Sequence, residues 1–255
     1  MHSTPSLKKQ TAGSMKISVC MATYNSEEYI REQIDSILPQ LNNGDELIIS
    51  DDGSTDNTLK IINKYSSAKI VLLHHKADRK LSTVHAIVSK NFENALIHAS
   101  GDIIFLSDQD DIWMPDKISK TLPYFKEYDY IISDCYHITN NLIDFDSSHR
   151  GGISPFSSFF SNVKKLGFQG CCSAFKSEVL NNALPFPRKL YMHDGWIGLL
   201  AAATAKVYFL DEKLIAYRIH NQAVTKQGYK NTLFYKIEYR LHLVIHVLKR
   251  KYKIL

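Results

Sequence analysis

Residues 103–117 read IIFLSDQDDIWMPDK. The apolar run Ile103 to Leu106 reads as a strand, and it ends in three carboxylates within four positions: Asp108, Asp110 and Asp111. Crowded carboxylates repel and raise each other's pKa unless a cation neutralises them. An Asp-x-Asp pair at a strand end offers two oxygen ligands on one side of a turn. That set suits a hard divalent ion such as Mg²⁺ or Mn²⁺, which keeps waters and bridges to phosphates. The plainer alternative is a solvated turn in which Asp111 caps a helix over IWMPDKI.

The segments before this one decide how the tip is used. KISVCMAT (16–23), DELIISD (45–51) and KIVLLHH (69–75) read as strands, as does GDIIFLSD (101–108). Between them lie helix-like segments over 26–41, 54–65 and 82–99, with Ser26, Ser54 or Thr55 as N-caps. Alternation of this kind implies a mostly parallel sheet with right-handed crossovers. Such open sheets bind ligands at the carboxyl ends of their strands. Those ends are Thr23-Tyr24-Asn25, Asp51-Asp52-Gly53 and Asp108-Gln109-Asp110.

The second half is less regular. Strands are predicted at 129–137 and 170–176, a helix at 192–205, and two short strands within 206–218. Residues 140–161 read as a loop, and the segment after Asn231 as a long amphipathic helix. Residues 1–14, polar and without period, read as a leader or disordered tail outside the fold.

The chain has 255 residues, 44% of them hydrophobic and 22% charged. This is the composition of a globular α/β protein. No apolar run reaches the roughly 20 residues that cross a bilayer. Cys20, Cys135, Cys171 and Cys172 lack zinc-ligand spacing and read as reduced thiols of a cytosolic protein. From Lys230 onward there are seven Lys/Arg and one acid, a balance of 7 − 1 = +6 against +5 for the whole chain. The basic charge therefore belongs to the tail, and nucleic-acid binding is not expected.

Six stretches in order resemble family 2 glycosyltransferases of the GT-A fold: VCMATYNSEEYI (19–30), LIISDDGSTDNT (47–58), FLSDQDDIWMPDKI (105–118), GCCSAFKSEVL (170–180), HDGWIGLLAA (193–202) and YRIHNQAVT (217–225). The resemblance implies a domain over 15–225, with a nucleotide-binding half (15–110) and an acceptor and catalytic half (111–225). Residues 226–255 form the basic helical tail. It also implies residue roles. Thr23, Tyr24, Asn25 and Glu27 would line the base pocket, Asp52 would accept the base N3–H, and Asp51 would support that loop. Asp108 and Asp110 would hold the metal, Mn²⁺ or Mg²⁺, with His220 completing its site and Gln109 beside it. Arg218 would meet phosphate oxygens, and Gly170 would run close to the donor sugar. Asp194 would be the catalytic base, with His193 (Glu in the commoner family pattern) and Trp196 toward the acceptor.

The implied reaction is metal-dependent, inverting transfer from a nucleoside-diphosphate sugar to a saccharide hydroxyl. UDP-hexose is the first choice of donor and dTDP-rhamnose the second. The SDQDDIW and YRxH variants are similar to bacterial O-antigen and capsule transferases, whose acceptors are lipid-linked. The tail places Leu233, Ile237, Val244 and Leu248 on one face with basic residues beside it. This arrangement favours an anionic membrane surface at the cytoplasmic side. The competing readings are a sugar nucleotidyltransferase and a non-catalytic nucleotide-sugar-binding protein.

Overall fold

The computed structural model describes residues 15–77, 83–139, 142–147, 159–188, 190, 192–220 and 233–253. The polar 1–14 segment, residues 221–225 of the YRIHNQAVT stretch and the start of the tail, 226–232, lie outside them. Strands β1 (Ile17–Thr23), β2 (Glu46–Asp51), β3 (Ile70–His74) and β4 (Ile103–Ser107) form where the apolar runs placed them. Every residue of β1 and β4 is buried, as expected for strands covered on both faces. Helices α1 (Ile30–Ile37), α2 (Thr58–Ile62) and α3 (Val84–Ile97) make the crossovers. α3 begins at Thr83, whose hydroxyl accepts the Ala86 N–H. α1 and α2 start later than predicted, at N-caps Tyr29 and Asn57 rather than at Ser26, Ser54 or Thr55. The hydroxyls of Ser26 and Ser54 are instead engaged in the loops, with Thr23 and Asp51.

β1 pairs in parallel with β2 on one side and with β4 on the other, and β3 adds in parallel to β2. The chain thus runs outward from β1 to β3 and returns to the opposite side of β1. The resulting switch point lies between the tips of β1 and β4, where this sheet class opens a crevice.

Beyond β4 the sheet is mixed, continuing through β8 (Ser173–Lys176), β6 (Tyr130–Thr139), β9 (Val207–Arg218) and β5 (Ile112–Trp113). β8 is antiparallel to both β4 and β6, β9 is parallel to β6, and β5 is antiparallel to β9. A short strand β7 (Leu142–Asp144) pairs with β6 inside the predicted loop, which also yields helix α5 (Phe159–Lys165). Asp111 caps no helix; it precedes β5, and α4 (Lys117–Thr121) starts later.

The two short strands expected in 206–218 are one. Ile132 pairs with Phe209 and Asp134 with Lys213, so Leu210, Asp211 and Glu212 bulge opposite Ser133. The bulge carries the charges that read as a turn.

The second half is closed by α6 (Ser177–Ala183), α7 (His193–Thr204) and α8 (Leu233–Lys251). Trp196 is fully buried and its indole N–H donates to the Ala183 carbonyl at 3.0 Å. It is a core residue linking α7 to α6 and not the acceptor wall anticipated above. Gly198 lets α7 approach its neighbour, since a Cβ there would fall 2.1 Å from the Phe168 ring. α8 docks on α7 through Leu243 and Val247, both fully buried. Arg240 donates to the carbonyls of Val163 and Lys164, and Arg250 to those of Leu184 and Pro185. Trp196→Ala is expected to lower unfolding stability by about 3–5 kcal/mol in urea denaturation. A loss below about 1 kcal/mol would contradict the core assignment.

Candidate active site

The three predicted strand tips meet at the switch point. Gln109 ties two of them together: its Oε1 accepts from the Thr23 hydroxyl at 3.0 Å and from the Tyr24 N–H at 2.7 Å. Asn25 adopts φ +46°, a left-handed conformation that asparagine tolerates. Its N–H donates to Ser54 Oγ, and its Oδ1 accepts the Thr55 N–H at 2.8 Å. Glu27 Oε2 accepts from both the N–H and the amide of Asn57. Asn25 and Glu27 therefore brace the β1 loop against the β2 loop, and the Tyr24 ring, 38% exposed, presents surface to the cleft mouth.

Asp51 is fully buried and holds its own turn. Its Oδ2 accepts the N–H groups of Gly53 and Ser54, and its Oδ1 accepts the Ser54 hydroxyl. Gly53, at φ +75°, makes that turn possible. Asp52 Oδ1 is 2.8 Å from both the Ala77 N–H and His75 Nδ1. His75, at the exit of β3, is a member of the site that the strand-end argument overlooked.

The acidic turn is packed more tightly than its sequence suggested. Asp110 Oδ2 lies 2.7 Å from His220 Nε2, so the last residue of YRIH does reach the Asp-x-Asp turn. Asp111 is 1% exposed; Oδ1 accepts the Arg218 N–H at 3.0 Å, and Oδ2 is buried without a hydrogen-bond partner. Ligand atoms of Asp108, Asp111 and Cys171 lie within 4.8 Å of one another. Asp108 keeps some surface, yet the atoms packed around it exclude water, and Asp110 and Asp194 add repulsion; its carboxyl is pushed up to about 8. All four cysteines are free and buried.

Arg218 is not set out for phosphate. Its Nε donates to the Asp110 carbonyl at 2.9 Å, its Nη2 pairs with Glu32 at 2.6 Å, and its guanidinium lies over the Tyr29 ring at 5.0 Å. It is a strut between α1, the acidic turn and the end of β9. Sequence spacing gave no sign of this, because Tyr29 and Glu32 lie on α1, far along the chain.

Asp194 lies in the first turn of α7 and accepts from the Gly195 N–H at 2.7 Å and the Gly170 N–H at 3.3 Å. Burial pushes its carboxyl up to about 6 against the pull of these bonds. Gly170 thus approaches Asp194 closely: a Cβ there would lie 3.5 Å from Asp194 Cβ and 3.2 Å from His193 Nε2. His193 turns inward. Its ring stacks on Phe92 at 3.9 Å, its N–H donates to Ser89 Oγ, and burial pulls its pKa down to about 3. It is a neutral ring beneath the site, not the acceptor contact expected.

The model of the family described as "Glycosyl transferase family 2" matches residues 18–184. The chain belongs to glycosyltransferase family 2. It is 29% identical over 219 residues to an uncharacterized glycosyltransferase of Nostoc sp., covering 81% of this chain and 65% of that protein. It is 26% identical over 219 residues to the Escherichia coli UDP-Glc:α-D-GlcNAc-diphosphoundecaprenol β-1,3-glucosyltransferase WfgD, covering 84% and 81%.

Among solved structures, Staphylococcus aureus TarS 1–349 in complex with UDP superposes with TM-score 0.65 at 20% identity, covering 92% of this chain and 66% of that one. Mycobacterium tuberculosis glucosyl-3-phosphoglycerate synthase, in complex with Mn²⁺, UDP and glucosyl-3-phosphoglycerate, gives 0.55 at 20%, covering 93% and 80%. These two share the fold. Family 2 membership favours the glycosyltransferase reading over the sugar nucleotidyltransferase; the chain spans less than two thirds of the length of the Nostoc relative.

Proposed function

We propose that this family 2 glycosyltransferase is a metal-dependent, inverting enzyme of bacterial surface polysaccharide synthesis. Its donor is a nucleoside-diphosphate sugar, UDP-hexose first and dTDP-rhamnose second. The observation that carries the reading is the Asp110–His220 contact at 2.7 Å, with Asp108 close enough to Asp110 and Asp194 to feel their charge. The donor set fits the cation: carboxylate oxygens and an imidazole nitrogen suit Mn²⁺ or Mg²⁺, and the burial and repulsion that raise Asp108 are what a divalent charge relieves. Asp110, His220 and Asp108 would hold it. When bound, it supplies Lewis-acid stabilisation to the departing diphosphate.

The chain's own groups do the rest. Tyr24 offers a ring face to the base, and Asp52, whose Oδ1 lies against His75 and the Ala77 N–H, accepts the N3–H that uracil and thymine share. Asp194 takes the proton of the acceptor hydroxyl as that oxygen attacks the anomeric carbon from the side opposite the diphosphate. One displacement inverts the configuration. The E. coli relative's name pairs a UDP-glucose donor with a diphosphoundecaprenol-linked acceptor, which supports a lipid-linked acceptor here.

Such an acceptor lies at a membrane. No described helix is long and apolar enough to cross one. Of the face predicted for the tail, Ile237 and Leu248 are exposed and Val244 is half-buried. Leu241 and Ile245 extend the exposed stripe, while Leu243 and Val247, outside the predicted face, are buried against the domain. The side chain of Leu233 lies outside the described residues. With Lys249, Lys251 and Lys253 near its end, α8 lays this outer stripe on anionic lipid at the cytoplasmic face.

Asp194→Asn is expected to lower kcat about 10²–10⁴-fold while UDP affinity stays within about threefold. The base works ionised, so wild-type kcat is expected to fall as pH drops through about 6; near-wild-type turnover by Asp194→Asn refutes the assignment. Leu241→Ser with Ile245→Ser is expected to abolish flotation with phosphatidylglycerol liposomes at unchanged Tm. Undiminished flotation refutes α8 as the anchor.

A further inference from the structure

Lys117 opens α4 with its side chain inside the protein, at 2% exposure. An ammonium taken out of water is costly unless its charge and its three donors are met. Here its Nζ donates to the Cys171 carbonyl at 2.8 Å and lies 4.7 Å from the centre of the Trp113 ring. Burial pulls its pKa below the usual lysine value, and the neighbouring Cys172, Cys171 and Asp111 offset part of that pull.

The carbonyl that Lys117 holds belongs to the 3₁₀ turn Gly170–Cys172. The first residue of that turn donates its N–H to Asp194 Oδ2. The contacts run in one line from α4 to α7: Lys117 Nζ, the Cys171 carbonyl, the Gly170–Cys171 backbone, the Gly170 N–H and the Asp194 carboxylate. Ser133 Oγ adds a longer bond to the Cys172 carbonyl at 3.4 Å. Without Lys117 the turn keeps that longer bond and its own backbone bonds, the Cys172 N–H to the Gln169 carbonyl at 3.2 Å among them, but loses its tie to α4.

We propose that Lys117 is a positioning residue for sugar transfer, fixing the Gly170–Cys172 turn and through it the carboxylate of Asp194 without touching either substrate. The proposal rests on the reading of Asp194 as the base. Displacing a reacting group by about 1 Å from a remote site costs on the order of 10²-fold in rate. Losing the hold on the turn is expected to act through kcat and to leave nucleotide binding, which depends on the β1, β2 and β4 tips, in place.

The test compares the full chain as wild type, Lys117→Met and Lys117→Arg. Methionine matches the volume but removes the donor and the charge; arginine keeps both. With Mn²⁺ and UDP-glucose, UDP release by Lys117→Met is expected to lose on the order of 10²-fold in kcat. Its calorimetric UDP affinity should stay within about threefold, and Lys117→Arg should recover most of the rate. Near-wild-type kcat in Lys117→Met overturns the proposal. So does a fall in UDP affinity or Tm that tracks the rate, or failure of both variants to fold, since each marks a purely structural lysine.

A crystal structure of Lys117→Met reads the link without relying on turnover. The turn is expected to shift and the Gly170–Asp194 bond to break within an intact sheet; an unmoved turn overturns the positioning role. Wild-type turnover that survives Asp194→Asn would refute the base assignment instead, so the two failures are distinguishable.

Discussion

Like-charge repulsion in a place short of water is the constraint around which this molecule is arranged. Asp108, Asp110, Asp111 and Asp194 come from β4's tip and the first turn of α7; burial raises Asp108, Asp111 and Asp194 above the usual carboxylate range, and neighbouring carboxylates add to the rise of Asp108 and Asp111. A fold maximising stability alone would separate them. This one holds them together with struts: Arg218 on the Asp110 carbonyl, Gln109 across the strand tips, and Lys117 beneath the Gly170–Cys172 turn. Buried cationic and amide groups thus fix the acidic cleft from behind and leave its open side to ligands.

The same economy governs the nucleotide side. Asp51, Asn25 and Glu27 spend their acceptors on backbone N–H groups of neighbouring loops. Those loops are thereby tied to one another before any ligand arrives, and such bracing lowers the ordering cost of binding. Tyr24 and Asp52 are then carried on a frame rather than on loose turns.

Much of this was legible in the sequence. Apolar runs located β1 to β4 to within a residue or two, and the alternation with helices placed three polar tips at one crevice. What could not be read has physical reasons. α7 is apolar almost all round (GWIGLLAAATA), so periodicity could not say which side Trp196 or His193 faces. The charges of Asp211 to Lys213 looked like a break between two strands, whereas a bulge carries them within β9. β8 runs against its neighbours because it is inserted between β4 and β6 from far along the chain, a pairing no local pattern encodes. Lys117 sits in an ordinary-looking helix start, and lysine is so commonly exposed that only the packed structure identifies it as buried. Arg218 looked like a phosphate ligand because its partners Tyr29 and Glu32 lie nearly the whole chain away.

The central claim is that the crowded carboxylates exist to share one cation with a nucleotide's pyrophosphate. A crystal structure of the full chain with Mn²⁺ and UDP tests it most directly. Anomalous density for manganese is expected between Asp110 and His220, on the diphosphate, with uracil between Tyr24 and Asp52. Manganese bound away from Asp110, or uracil bound outside that cleft, would contradict the account.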